Sequence, residues 1–209
     1  MLPVALLQHH PGTVCIEEVR RLLDKRGIPH RTYRADIGEL PSNDDVSGLM
    51  LCGSDYYLSD IRNEEWVIRE LDLLSSANRP VLGICFGHQL VAEAFGGLTA
   101  KGKGYSEAVG PTEVEVLEDH PLFKGLPGKI LVFEWHEDEV VRVPSGFQVL
   151  AQSTDCPVEA MVHKERPIWC VQFHPEVTNL MHEHGADNTH GEIIVNNFTN
   201  LVESLSSYG

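Results

Sequence analysis

The sequence predicts an α/β fold: an open, mostly parallel sheet flanked by helices, with a strand-rich second half. Three observations carry this. Through the first half of the chain, short apolar runs alternate with segments of helical periodicity, the order that builds buried parallel strands joined by covering helices. Turn-forming residues stand at the junctions, among them Gly27, Arg79-Pro80 and Gly96-Gly97. After Gly97 the helical spacing gives way to closely spaced β-like segments separated by turns.

Taken in order, Pro3 to Leu7 is an apolar run that ends at the turn-forming His9-His10-Pro11-Gly12. Ile16, Val19, Leu22 and Leu23 then recur at helical spacing until Gly27 supplies a stop. His30 to Ala35 and Gly48 to Leu51 are the second and third strands. Ile61, Ile68, Leu71 and Leu74 mark one helix, which ends before Pro80 because proline pushes the preceding residue out of helical conformations. Val81 to Ile84 is a fourth buried strand, and Gln89 to Phe95 continues as helix. The β-like segments that follow are Glu113 to Leu117, Ile130 to Phe133, Gln148 to Ala151, Val158 to Val162 and Ile168 to Phe173. Ile194, Phe198, Leu201 and Leu205 lie on one face of a last helix, Ile193 to Leu205, which should close against the sheet. Loop-like stretches are short, such as Leu40 to Asp45 and Glu183 to Thr189, and no repeat or linker is visible, so residues 1–209 are expected to form a single domain.

Composition narrows the function. A chain of 209 residues that is 42% hydrophobic can bury one sizeable core. Sixteen Lys and Arg against 31 Asp and Glu leave a formal charge of -15, which repels phosphate backbones and anionic lipid headgroups. Neither a nucleic acid nor a membrane is therefore expected as partner. No apolar run approaches the ~20 residues needed to span a bilayer, and Met1 to Gln8 lacks the basic start and cleavage site of a signal peptide. A soluble, cytoplasmic protein is expected. Five cysteines, odd in number, scattered and never in a C-x-x-C pair, suggest neither a disulfide framework nor a zinc ribbon.

One cysteine stands in a chemical context. Val81-Leu82-Gly83-Ile84-Cys85-Phe86-Gly87-His88-Gln89 runs a buried strand into a helix through G-x-C-x-G, the form of a nucleophile elbow. The nucleophile of such a turn takes a strained backbone conformation, and small residues two positions to either side relieve the crowding of strand and helix. The helix that starts beyond Cys85 offers unpaired N–H groups and a positive dipole end, which favour a thiolate and let the Phe86 N–H donate to an oxyanion. The competing reading is a buried core cysteine between two packing glycines.

A thiol nucleophile needs a base and a group to orient it. Among eleven histidines, His174 in His174-Pro175-Glu176 follows an apolar run and so sits at a strand end. Residues two apart in an extended chain share a side, which lets the Glu176 carboxylate reach the far ring nitrogen of His174 and fix its tautomer. His182, His184 and His190, with Glu183 and Asp187, are expected to form a solvated surface segment, and no metal or cofactor is expected. His9 and His10 follow the first strand, at the edge where ligands of such sheets bind, and are candidates for contact with substrate or partner. Cys15, Cys52, Cys156 and Cys170 are expected to be core or loop thiols.

Two strong motifs, Pro80-Val81-Leu82-Gly83-Ile84-Cys85-Phe86-Gly87-His88-Gln89 and Val171-Gln172-Phe173-His174-Pro175-Glu176-Val177-Thr178, together with Gly48-Leu49-Met50-Leu51-Cys52-Gly53 and Trp135-His136-Glu137-Asp138, span nearly the whole chain. In these the sequence resembles the class I, triad-type glutamine amidotransferases, and among them the amidotransferase domain of GMP synthetase and its stand-alone relatives. The resemblance implies the flavodoxin-like fold of that family, glutamine hydrolysis through a glutamyl thioester, no cofactor, and ammonia passed to a separate synthetase partner. It assigns Cys85 as nucleophile, His174 as base then acid, and Glu176 as the orienting carboxylate. It also implies substrate-binding roles for Gln89 and His136, and oxyanion donors at Phe86 and in the loop holding Gly53 and Ser54.

The sequence departs from the family in two places. Gly53-Ser54-Asp55 stands where relatives carry Gly-Gly-Pro; if Ser54 must take a positive φ it does so at a cost of ~1 to 2 kcal/mol, and a misplaced donor would cost roughly 100- to 1000-fold in rate. Asp55 is expected to add a negative charge near the substrate, and Glu137, where relatives usually have Gly, to narrow the pocket. Tyr105-Ser106-Glu107 lies where relatives carry a short substrate-side motif but is too different to take an assignment. These departures keep open a free-standing γ-glutamyl peptidase or hydrolase; a non-catalytic binding protein on the same fold is disfavoured by the intact triad.

Overall fold

The computed structural model describes residues 2–11, 14–102 and 109–206; the Tyr105-Ser106-Glu107 motif lies outside them. The strands are β1 (Val4–Gln8), β2 (His30–Arg34), β3 (Gly48–Leu51), β4 (Val81–Ile84), β5 (Leu98–Lys101), β6 (Val109–Val116), β7 (Lys129–Trp135), β8 (Asp138–Arg142), β9 (Phe147–Gln152), β10 (Ala160–His163) and β11 (Ile168–Val171). The helices are α1 (Val14–Lys25), α2 (Leu58–Ile61), α3 (Glu65–Ser76), α4 (Phe86–Ala94), α5 (Asn179–Glu183) and α6 (Thr189–Ser206). Nine strands form one open sheet in the order β2-β1-β3-β4-β11-β10-β9-β6-β7, and β5 pairs with β8 in a separate ribbon.

The sheet is mixed rather than mostly parallel. β2, β1, β3, β4 and β11 run parallel, whereas β10, β9, β6 and β7 are joined by antiparallel pairings. The inner parallel strands β1, β3, β4 and β11 are covered on both faces, which explains their apolar runs, whereas β2 at the edge is polar and only partly buried. In β1, Val4 and Leu6 pack with Ile16, Val19 and Leu23 of α1 and with Ile194 and Phe198 of α6. Ala5 and Leu7 point the other way, into a second core with Val67 and Leu74 of α3 and Leu90 and Val91 of α4.

Several elements differ from expectation for physical reasons. The helix expected through Ile61 and Leu74 is two helices, α2 and α3. In α3 the buried face is Val67, Glu70 and Leu74, while Ile68 is 48% exposed. A buried glutamate turns the apparent apolar face. In α6, Val202 is buried and Leu205 exposed, so the packed stripe ends one turn early. The β5–β8 ribbon has no counterpart in the expected elements, because its strands carry charged residues at their ends and little alternation. Among the described residues no helix is long and apolar enough to cross a membrane.

Candidate active site

β4 lies inside the sheet, between β3 and β11. Cys85 follows it directly, with φ 51° and ψ -104°, and is the only non-glycine with positive φ among the described residues. The backbone therefore reverses within one residue, and α4 begins at Phe86. Its first-turn N–H groups have no helical carbonyl to pair with. The flanking glycines are required by close approach: a Cβ on Gly83 would stand 2.6 Å from the Gly87 carbonyl oxygen, and one on Gly87 2.5 Å from the Leu51 Cβ. Gly87→Ala is expected to cost about 3 kcal/mol through overpacking and to lower Tm by roughly 10 °C. An unchanged thermal unfolding curve would show that β3 and α4 are free to separate.

His174 follows β11, the strand paired in register with β4. Its backbone N–H donates to the Phe133 carbonyl at 2.8 Å, which ties the turn to β7. Its Nδ1 lies 2.8 Å from Glu176 Oε1, with the two side chains 4% and 0% exposed. A carboxylate at that nitrogen selects the tautomer with the proton on Nδ1 and leaves Nε2 for other chemistry. Burial alone would lower the basicity of His174, but Cys15, Glu176 and Cys85 outweigh it and raise the group well above the usual histidine range. Cys85 Sγ lies 3.7 Å from the carbonyl of Trp135, in the same strand that holds the His174 backbone. The turn is braced from the start of α6: Asn188, the residue before the helix, donates its Nδ2 N–H to the Pro175 carbonyl at 2.9 Å, and a Cβ on Gly191 would collide with the same carbonyl. Asn188 and Gly191 carry no recognisable signal in the sequence.

Cys15 departs from its expected role as a core or loop thiol. It is partly buried in the first turn of α1, and its Sγ lies 3.4 Å from His174 Nδ1, the nitrogen that Glu176 also holds. Burial pushes its thiol up to about 11. α1 is fastened beside His174 by Arg21 Nη2 donating to Thr178 Oγ1 and Asn179 Nδ2 donating to Glu18 Oε1, both at 2.8 Å. His182, His184 and His190 are not gathered into a cluster: His190 Nδ1 accepts from the Leu131 N–H at 2.9 Å, and His184 packs on Phe133.

Gly53 brings the loop after β3 to the same place. A Cβ there would stand 2.6 Å from His174 Cε1, so the glycine is needed for the histidine ring to fit. Ser54 carries no positive φ, which removes the backbone cost envisaged for it, and its hydroxyl accepts from the Tyr56 N–H at 3.2 Å. Asp55 is two-thirds exposed, and its carboxylate lies 3.4 Å from His10 Nδ1. Glu137 accepts from the Tyr57 hydroxyl and lies 3.8 Å from Lys101 Nζ. His9 is fully buried as a strut, 2.9 Å from the Cys52 carbonyl through Nδ1 and 2.9 Å from Glu70 Oε1 through Nε2, a position that leaves it no solvent-facing surface for a partner.

An elbow cysteine, a carboxylate-held histidine and a glycine loop against that histidine meet at one sheet edge, and the sequence model of the family described as glutamine amidotransferase class-I matches residues 12–190. The chain belongs to this family. It is 41% identical over 183 residues to the glutamine-hydrolyzing GMP synthase subunit of Pyrococcus abyssi, covering 88% of each chain. It is also 41% identical over 189 residues to that of Methanocaldococcus jannaschii, covering 90% of this chain and 92% of that one. A glutamine amidotransferase from Thermotoga maritima shares the fold, with a TM-score of 0.83 at 18% identity over 96% of this chain and 97% of that one.

In this amidotransferase Gln89 and His136 converge on one backbone atom. Gln89 Nε2 donates to the Asp138 carbonyl at 2.7 Å and lies 3.4 Å from Gln172 Oε1; His136 Nδ1 lies 3.1 Å from the same carbonyl. His136 Nε2 is 3.0 Å from Glu134 Oε2. Glu134 and Glu159 are both buried, a polar pair that the sequence did not reveal. Burial lifts the Glu134 carboxyl to about 7; burial and the Glu134 charge lift Glu159 to about 9.

These shifts have a definite sign for stability. The unfolded chain loses both protons near pH 4.5, whereas the folded chain keeps them until about pH 7 and 9, so folding stability falls as pH rises across that interval. Glu159→Gln removes the larger share of this loss. Its Tm at pH 8 is expected to exceed the parent's by roughly 5 °C, with little difference at pH 4.5. Parallel Tm profiles for the two proteins across that range would count against a buried, proton-holding pair.

Proposed function

We propose that this amidotransferase hydrolyses the side-chain amide of glutamine and supplies the ammonia to a separate synthetase subunit that makes GMP. The observation that carries the reading is the His174–Glu176 pair beside the Cys85 elbow, supported by similarity to the glutamine-hydrolyzing GMP synthase subunits of Pyrococcus abyssi and Methanocaldococcus jannaschii. His174 Nε2 takes the Cys85 thiol proton as the sulfur attacks the amide carbon, forming a C–S bond; the C–N bond then breaks as Nε2 gives that proton to the departing nitrogen, which leaves as ammonia. Water then attacks the thioester with its proton passing to His174 Nε2, the C–S bond breaks as that proton returns to the Cys85 sulfur, and glutamate departs. Glutamine and water become glutamate and ammonia, with no redox change.

The negative oxygen of each tetrahedral intermediate rests against the Phe86 N–H and a backbone N–H of the Gly53-Ser54 loop. Gln89 and His136, which meet at the Asp138 carbonyl, are assigned to the substrate's amino-acid end. Glutamine is the substrate on this reading, no cofactor takes part, and the acidic chain works in the cytoplasm. Glutamate release is measured with glutamine and with a panel of γ-glutamyl peptides, with and without the synthetase subunit. Turnover of glutamine that rises strongly when the synthetase is added is expected. Robust peptide turnover by the chain alone, indifferent to the synthetase, overturns the proposal in favour of a free-standing γ-glutamyl hydrolase.

A further inference from the structure

Cys15, His174 and Glu176 each present a metal-ligating atom, and these atoms lie within 4.8 Å of one another. Among the described residues no other trio of histidine, cysteine and acidic side chains is so close. We propose that Cys15 Sγ, His174 Nδ1 and a Glu176 carboxylate oxygen form a site for a thiophilic divalent cation of the Zn2+ class, and that the ion holds the hydrolase inactive when bound.

The donor set is one thiolate, one imidazole and one carboxylate, which suits Zn2+ rather than Mg2+ or Ca2+. Zn–S and Zn–N bonds of about 2.3 and 2.0 Å at a tetrahedral angle place sulfur and nitrogen roughly 3.5 Å apart; Cys15 Sγ and His174 Nδ1 are 3.4 Å apart. The nitrogen and Glu176 Oε1, at 2.8 Å, need to open by only about half an ångström to admit the ion. An independent sign of a missing ligand is Glu176 Oε2, a buried carboxylate oxygen with no hydrogen-bond partner on a side chain that is 0% exposed. The three donors come from α1 and the turn after β11, two segments already fastened together through Glu18, Arg21, Thr178 and Asn179. Binding displaces the Cys15 thiol proton and the His174 Nδ1 proton to solvent, and water from the ion's hydration shell.

Inhibition follows because the ion takes the nitrogen that Glu176 uses to orient the ring. That consequence rests on the hydrolase reading above, whereas binding of the ion does not. The competing site is a direct Cys85–His174 clamp on Nε2, and the variants separate the two. The full chain is titrated, with a non-thiol reductant present, with Zn2+ against a chromogenic chelator and with Co2+ followed by its thiolate-to-metal absorption. Wild type, Cys85→Ala and Cys52→Ala are expected to take up one ion with the thiolate band. Cys15→Ser is expected to lose the band and bind at least about 100-fold more weakly, since disturbing even outer-shell partners costs 10- to 100-fold.

A thiolate band that survives in Cys15→Ser, one that vanishes in Cys85→Ala, or no uptake by wild type overturns the site. A second measurement does not depend on any variant folding: maleimide labelling of the wild type, resolved by peptide mass, is expected to show Zn2+ shielding Cys15. Shielding of Cys85 with Cys15 still labelled overturns the proposal. Glutamate release is followed in the same samples. Ion uptake at Cys15 without loss of hydrolysis would refute the inhibition and leave the site, and uptake by a chain with no glutaminase activity would refute the function and leave the site.

Discussion

Replacing Cys85 by alanine is expected to reduce glutamine hydrolysis by at least about 10,000-fold, the scale of losing a covalent nucleophile from a cooperating set. A second thiol, Cys15, lies against the imidazole that Cys85 is proposed to use. Cys15 sits on Nδ1, the nitrogen committed to Glu176, and burial pushes its thiol up to about 11, so it stays protonated at neutral pH. It lies in the first turn of α1. Cys85 has the reversed backbone, the two glycines without room for a Cβ, and the N-terminus of α4 behind it. Glutamate release by Cys85→Ala and Cys15→Ser, measured side by side, decides between them. Activity that survives in the first and disappears in the second would make Cys15 the nucleophile.

Glu176→Gln is expected to lower kcat by about 10,000-fold with a small effect on KM, the scale seen when an orienting carboxylate becomes an amide in a serine-type triad. The amide keeps the size of the side chain but can present its NH2 to Nδ1, which stabilises the opposite tautomer and puts the proton on the nitrogen that must act as base. It also removes a charge that helps hold His174 above the usual histidine range, so the remaining activity should shift in its pH dependence. Steady-state kinetics from pH 5 to 9 on a variant with unchanged circular dichroism checks this. A KM effect with kcat preserved would mean that Glu176 binds substrate instead of orienting the base.

What the sequence disclosed was local. The β4–Cys85–α4 elbow is nine consecutive residues whose strand, turn and helix are written in apolar run and glycine spacing, and the structure places each where expected. The His174–Glu176 contact depends only on two positions of extended chain. Contacts made by tertiary packing left no such trace. Cys15 looked like any cysteine near a helix start, because its significance comes from α1 lying against a turn more than a hundred residues later. Nothing in the local sequence marks Glu70, Glu134 and Glu159 as buried, yet one anchors His9 and the others share a buried polar cluster. The sheet also turned out evenly mixed because strand direction depends on the return path of the chain, which apolar patterning does not encode.

The pairing of β4 with β11 has a consequence for how the protein comes into being. These neighbours in the sheet are separated in the chain by the whole antiparallel half, so theirs is the most non-local strand pairing among the described residues. During synthesis β1 to β4 emerge first and can assemble with their helices, leaving the edge of β4 unpaired until β11 arrives. Cys85 is made early; its histidine is made late. On the proposed mechanism, hydrolytic competence appears in one step near the end of folding, when β11 docks and carries His174 to the elbow, and a nascent or C-terminally truncated chain would hold the thiol without its proposed base.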